Sequence, residues 1–400
     1  MASYQYGGQA LIEGVLMRGR HALAVALRHP DGSIVWATER LDLGLRARRA
    51  LKLPFLRGLV VLYDTLVTGT RWLVRSATIQ ALALEEAGDG AGGSAGDGSG
   101  GSAGDGSGKS GQAAAGTGSV LHTLLLAPIL AILCAAEGHD SGYTDPDAPG
   151  GSSAATPGSS RGLGKGYTVA VGGMLLFSLV LGIGIFFLLP LLLAQATVGR
   201  VSQGFAFQLS EGVIRVVIFI GYLMLVGRAA DVRRTFQYHG AEHMSIHTLE
   251  AGDPLTVDAA RKYPTAHPRC GTEFLVVVLI VSILAFAVVG SLPPLWLVVS
   301  RVVLVPVIAA ISYEILQLGA RHRGHAVVRW LWSPGIWVQK ITTRQPTDAM
   351  IEVAIVSLQQ ALIADGREIP AGSAVFASRP LDSDLGGPND DATGSPGPKP

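Results

Sequence analysis

Charge is the first shortage. Of 400 residues only 15% are Asp, Glu, Lys or Arg, against about 25% in an ordinary soluble domain. The deficit is concentrated in a few long uncharged runs, and 48% of the chain is hydrophobic. That is the composition of a polytopic membrane protein. Cysteine is scarce too. Cys134 and Cys270 allow one disulfide and exclude a disulfide framework. The formal net charge is +1, so no global basic field points to nucleic acid. The opening MASYQYGGQALIEG has no basic stretch leading into an apolar core, so no cleavable signal peptide is expected.

What is present divides the chain into six stretches. Residues 1–54 are mixed and basic, and read as a small α+β region. Two apolar runs, 22–27 and 34–38, flank His29-Pro30-Asp31-Gly32. Pro presets φ and Gly tolerates a positive φ, so a β-hairpin is expected there. Residues 55–86 are apolar at helical spacing but interrupted by Arg57, Asp64, Arg71 and Arg75. A charge at a helix centre costs about 2.5–3.5 kcal/mol on insertion, so this helix is expected to lie on the membrane or on the protein. Residues 87–166 hold two Gly/Ser-rich linkers around an apolar run, 120–136, broken by Pro128. The linkers are expected to be disordered, and the run to be interfacial or re-entrant.

Residues 167–318 form the expected membrane domain of about four spans: 167–195, 213–226 extended back through 205–209, 274–289 and 295–318. The last two are joined by Gly290-Ser291-Leu292-Pro293-Pro294, a tight turn that makes them an antiparallel hairpin. Arg215 and Arg301 in these spans are expected to snorkel. A further region, 319–370, follows, and then a Pro/Gly/Ser/Asp-rich tail, 371–400, expected to be disordered. Arginines cluster between the second and third spans and after the fourth. The positive-inside rule places both segments, and the basic N-terminal region, on the cytoplasmic side. The fold expected is therefore mainly α, a multi-pass protein of the cell membrane in contact with lipid.

The segment 231–272 carries the chemistry. Tyr238-His239-Gly240-Ala241-Glu242-His243 contains H-x-x-E-H. On a helix His239 and His243 share a face and can reach one ion. Glu242 could then orient or deprotonate a bound water, as in inverted zincins. Chance matches to so short a pattern are common, but His247 and His267 fall in the same loop. His247 could substitute for His239, although a solvated position suits it better. His267-Pro268-Arg269-Cys270 adds an imidazole and a thiol, a pairing that suits zinc. In a reducing compartment Cys270 is expected as a thiol or ligand rather than half of a disulfide. Four ligands would close the site, and three would leave a position for water. Asp231, Glu250, Asp253 and Asp258 are further candidates. Glu314, within the last span, should have a partner: Arg321, another basic group, or the metal cluster. Gly7, Gly8, Gly14 and Gly19 permit close backbone approach, and Glu13 and Arg18 could complete a site from the N-terminal region.

These residues also carry a resemblance. Residues 7–19, GGQALIEGVLMRG, together with 238–243, 267–272, 311–314, Ser333-Pro334-Gly335 and Thr342-Thr343-Arg344, resemble the DUF1385 or YqhQ-like family of predicted metal-dependent membrane enzymes. The two Gly/Ser linkers depart from the family's usual pattern. Two functions are then in view. One is a metal-dependent membrane enzyme, a hydrolase by its motif. In it His239, His243, His267 and Cys270 bind a divalent metal, zinc by donor type. Glu242 is the general base, and Arg269 or Arg18 stabilises an oxyanion. The other is a non-catalytic membrane scaffold or transporter accessory with a structural metal site.

Overall fold

The computed structural model describes residues 6–41, 53–92, 180–198, 205–268, 270–290, 292–322 and 324–381. The expected linkers and the run 120–136 lie outside them. The first strands are β1 (Gly7–Leu11), β2 (Gly14–Arg18), β3 (Ala22–Arg28) and β4 (Ile34–Arg40). They pair antiparallel in sequence order. The expected hairpin is β3–β4. Gly32 has φ +88°, and Asp31 Oδ1 accepts from the Ser33 N–H at 2.7 Å, which closes the turn locally.

Both faces of the sheet are buried. Alternate residues Ala10, Val15, Met17, Ala24 and Ala26 enter one core, while Leu11, Leu16, Leu23, Val25 and Leu27 enter another. That is the two-residue period of a strand. The first face packs on α4 (Ala230–Ala251) and α9 (Asp348–Ala364). The second packs on α1 (Leu56–Gly92), through Trp72, Leu73 and Ile79. Arg57, Asp64 and Arg71 of α1 are in ion pairs, and Arg75 lies over the Trp72 ring. Arg57 bonds Glu314, Asp64 bonds Arg18, and Arg71 bonds Glu39. Glu314 thus has a basic partner, as expected of it, in Arg57.

Between α1 and α4 come α2 (Leu189–Val198), preceded by a π-helical turn at Gly184–Leu188, and α3 (Phe205–Val226). After α4 follow the short α5 (Val257–Ala260), α6 (Thr272–Val289), α7 (Pro294–Arg321) and α8 (Ala326–Thr342). Among the described residues four helices are long and apolar enough to cross a membrane: Val180–Thr197, Ala206–Val226, Thr272–Val289 and Leu295–Ala320. They match the four expected spans, and α1 is not among them. Their outward side chains are apolar, with Val288 88% and Leu225 65% exposed, as lipid contact requires.

Two expectations are corrected. Arg215 and Arg301 do not snorkel; they are 2% and 0% exposed because both reach Glu211 inside the bundle. The part of the tail among the described residues, 371–381, is ordered. Its strand β5 (Ser378–Pro380) pairs parallel with β4, and Leu381 is buried in the α1-side core. Composition predicted disorder, but a sheet edge offers backbone partners regardless of side chain.

Candidate functional site

Three segments converge on one cluster. The helix α4 presents His239 and His243 one turn apart. The loop between α5 and α6 presents His267 and Cys270, and the C-terminal end of α8 closes over them. All are buried: His239 1%, His243 2%, Cys270 4%, Glu242 2%.

The backbone fixes the imidazoles. His239 Nδ1 lies 3.0 Å from the Thr342 carbonyl, and His243 Nδ1 lies 2.6 Å from the Thr265 carbonyl. A carbonyl only accepts, so each Nδ1 carries the proton and each Nε2 keeps its lone pair. Burial favours that neutral form, lowering His239 to about 4 and His243 well below its usual value. The two Nε2 atoms nevertheless face each other at 3.1 Å, with Cys270 Sγ 3.4 Å from that of His239. The sulfur also lies 3.4 and 3.3 Å from the N–H and hydroxyl of Thr272. The ligand atoms of His239, His243 and Cys270 all lie within 4.8 Å of one another.

His267 belongs to a neighbouring group, with His247 and Glu250. Its Nε2 is 3.4 Å from Glu250 Oε2, and its ring centroid is 4.4 Å from that of His247. The backbone of His267 is locked by the Gln339 amide, which accepts from its N–H and donates to its carbonyl, both at 2.9 Å. His247 is half-buried, with Nε2 3.0 Å from the Ala266 carbonyl.

Glu242 points elsewhere. Its carboxyl lies against β1, where it accepts from the Gly8 backbone. A Cβ on Gly8 would sit 2.8 Å from that carboxyl, so glycine is what lets it in. Burial raises the carboxyl to about 8. Its Oε2 has no hydrogen-bond partner among the described residues. Arg18 is not in this cluster. The two-residue period turns it to the α1 face of the sheet, where it donates to Asp64 at 2.6 Å. Glu13, with φ +58°, instead reaches α4, bonding Arg234 and the Tyr238 hydroxyl. Arg269 lies outside the described residues. Of Gln339, Thr265 and Thr342, only Thr342 stands in a motif of the sequence, and that motif gives it no role. Two of them act through backbone carbonyls, which leave no side-chain signature.

Acidification is expected to destabilise the fold when a chelator is present. Below pH 6.5 the unfolded chain binds a proton on His239 that the folded chain refuses until about 4. Stability present above pH 6.5 is therefore lost as pH falls toward 4. His239 contributes about 3 kcal/mol to this loss and His243 adds to it, while Glu242, whose raised carboxyl takes up its proton earlier in the folded chain, opposes it; the two histidines against one carboxyl set the sign. Melting temperatures at pH 7 and 4.5 check it, and equal values would contradict it.

Comparison with known proteins agrees with the resemblance in the sequence. The uncharacterized protein YqhQ of Bacillus subtilis (strain 168) is 29% identical over 358 residues, covering 89% of this chain and 92% of that protein. No solved structure matches. The family model described as "Protein of unknown function (DUF1385)" matches residues 53–364, a range that includes both H-x-x-E-H and H-x-x-C. The chain therefore belongs to the DUF1385 family.

Proposed function

We propose that the chain is a multi-pass membrane metalloenzyme, a hydrolase, whose divalent ion is held by His239, His243 and Cys270. The carrying observation is the approach of two lone-pair nitrogens to 3.1 Å. That contact is repulsive unless a cation lies between them. The donor set fits zinc. Zn–N near 2.0 Å and Zn–S near 2.3 Å give tetrahedral edges of roughly 3.3 and 3.5 Å, beside the observed 3.1 and 3.4 Å. One thiolate with two imidazoles is also a zinc-like combination.

Three protein donors are the number found in catalytic sites. A bound ion would supply Lewis acidity toward a carbonyl or phosphoryl oxygen. The chain's own residues do the rest. The Thr342 and Thr265 carbonyls fix the imidazole tautomers. Glu242, whose buried carboxyl lies against β1 and not among the three donors, would exchange its proton with the site through an intervening water. Arg269, next to Cys270 in sequence, is the remaining candidate for stabilising an oxyanion. The cluster would face the cytoplasm, from the arginines around it. A second reading, a structural site in a non-catalytic scaffold or transporter accessory, is favoured by the burial of all three donors.

Metal analysis of detergent-purified protein is the test. Zinc is expected to co-purify, and His239→Ala is expected to reduce it. Glu242→Gln should keep the metal and lose hydrolysis of a chromogenic acyl or phosphate ester. Metal-free wild type would sink both readings. A silent Glu242→Gln, together with a collapsed Cys270→Ala, would favour the structural one.

A further inference from the structure

Three charged side chains meet inside the apolar bundle, near its end away from the His/Cys cluster. Glu211 and Arg215 lie one turn apart on α3, and Arg301 faces them from α7. Their exposures are 1%, 2% and 0%. Arg301 donates from Nη2 to Glu211 Oε2 at 2.6 Å and from Nε to Oε1 at 3.1 Å. Arg215 donates from Nη2 to the same Oε1 at 2.5 Å. It also reaches the Ser282 hydroxyl on α6 at 3.2 Å and the Phe186 carbonyl in the π-helical turn at 3.0 Å. That carbonyl is available because Pro190, four residues on, has no N–H to give it. All four apolar helices thus supply the cluster.

The charges do not balance. Two guanidiniums stay protonated and one carboxylate opposes them, which leaves one positive charge. No other carboxylate pairs with either arginine among the described residues. The Phe286 ring lies 3.9 Å from the Arg301 guanidinium and 4.8 Å from that of Arg215, which relieves only part of the excess. Donors are in excess as well. Each guanidinium carries five N–H groups, and together they make six hydrogen bonds to described residues. One turn before Glu211, the Gln208 side chain is 5% exposed, and its buried amide oxygen Oε1 has no partner among the described residues. Its oxygen and nitrogen can exchange places by a flip. Water and lipid tails supply no countercharge in such a place, and an unpaired ion there is costly.

We propose that this cluster binds an oxyanion of phosphate type, presented either by a lipid headgroup or as free phosphate. Planar N–H forks match paired oxygens, which favours an oxyanion over a spherical halide. Glu211 and Arg301 lie within two turns of the starts of α3 and α7. The site is therefore on the order of 10 Å below the helix ends, within reach of the surface. This inference stands apart from the metal reading and shares no residue with it.

The test uses the full chain in lipid nanodiscs. One arm adds inorganic phosphate to zwitterionic discs, and the other uses discs containing phosphatidylglycerol without phosphate. Wild type is expected to gain about 5 °C in Tm in at least one arm, and the responding arm identifies the source. Arg301→Met leaves a balanced Glu211–Arg215 pair and is expected to lose the gain. No gain in either arm, or an equal gain in Arg301→Met, overturns the proposal. Should Arg301→Met fail to fold, native mass spectrometry of wild type decides. A phosphate-bearing species bound one to one supports the site, and its absence overturns it.

Discussion

Glu211→Gln is expected to destabilise the membrane bundle by about 3–5 kcal/mol, the cost of leaving buried charge without its partner. Glu211 is the carboxylate between Arg215 and Arg301, so its loss leaves two adjacent positive charges. Arg301→Met should be far milder, because it removes the excess charge and leaves one balanced pair. Counting broken hydrogen bonds alone would not separate the two substitutions so widely, since each removes charge-assisted bonds to the same carboxylate. Thermal unfolding of both variants in one detergent distinguishes the pictures. Equal losses would contradict the charge count.

The same cluster shows where sequence reading stops. The four apolar helices were legible because membrane insertion imposes a length and a composition on each span separately. Arg215 and Arg301 read as snorkelling because nothing local to either residue reveals its partner. The Arg301 partner is 90 residues away. Glu314 was recognised as needing a partner, and Arg57 as a charge within an apolar run. Their pairing across 257 residues was not legible.

In the sheet, the β3–β4 turn has its own residue chemistry and was read directly. The five strands as one sheet were not foreseen, because β5 joins by backbone pairing from a polar tail. At the His/Cys cluster, His239 and His243 follow from helical spacing. The division of Cys270 and His267 between two groups depends on how the loop before α6 is held by Gln339. Arg18 was grouped with Glu242, although the strand period turns it to the opposite face of the sheet. Tertiary position, more than motif, decides which candidates meet.

Gly240→Ala gives the sharpest test of how that position is held. In a helix interior the change ordinarily stabilises by about 1 kcal/mol. Here the new Cβ would lie 2.2 Å from the Arg344 carbonyl oxygen, a backbone atom that cannot rotate away. The α4 helix and the segment after α8 would have to separate. That strains the bond from the Arg344 N–H to the Phe236 carbonyl at 2.9 Å and moves Thr342, whose carbonyl orients His239. A net loss of about 1–3 kcal/mol is expected. If the cluster binds metal, a roughly 10–100-fold weaker affinity should accompany it. Gly221→Ala is the matched control, because a Cβ there meets nothing within 4 Å and should be neutral or stabilising. Melting temperature and zinc content of the two variants, measured side by side, check the argument. Like behaviour of the two would show that the α4–α8 contact does not hold the site.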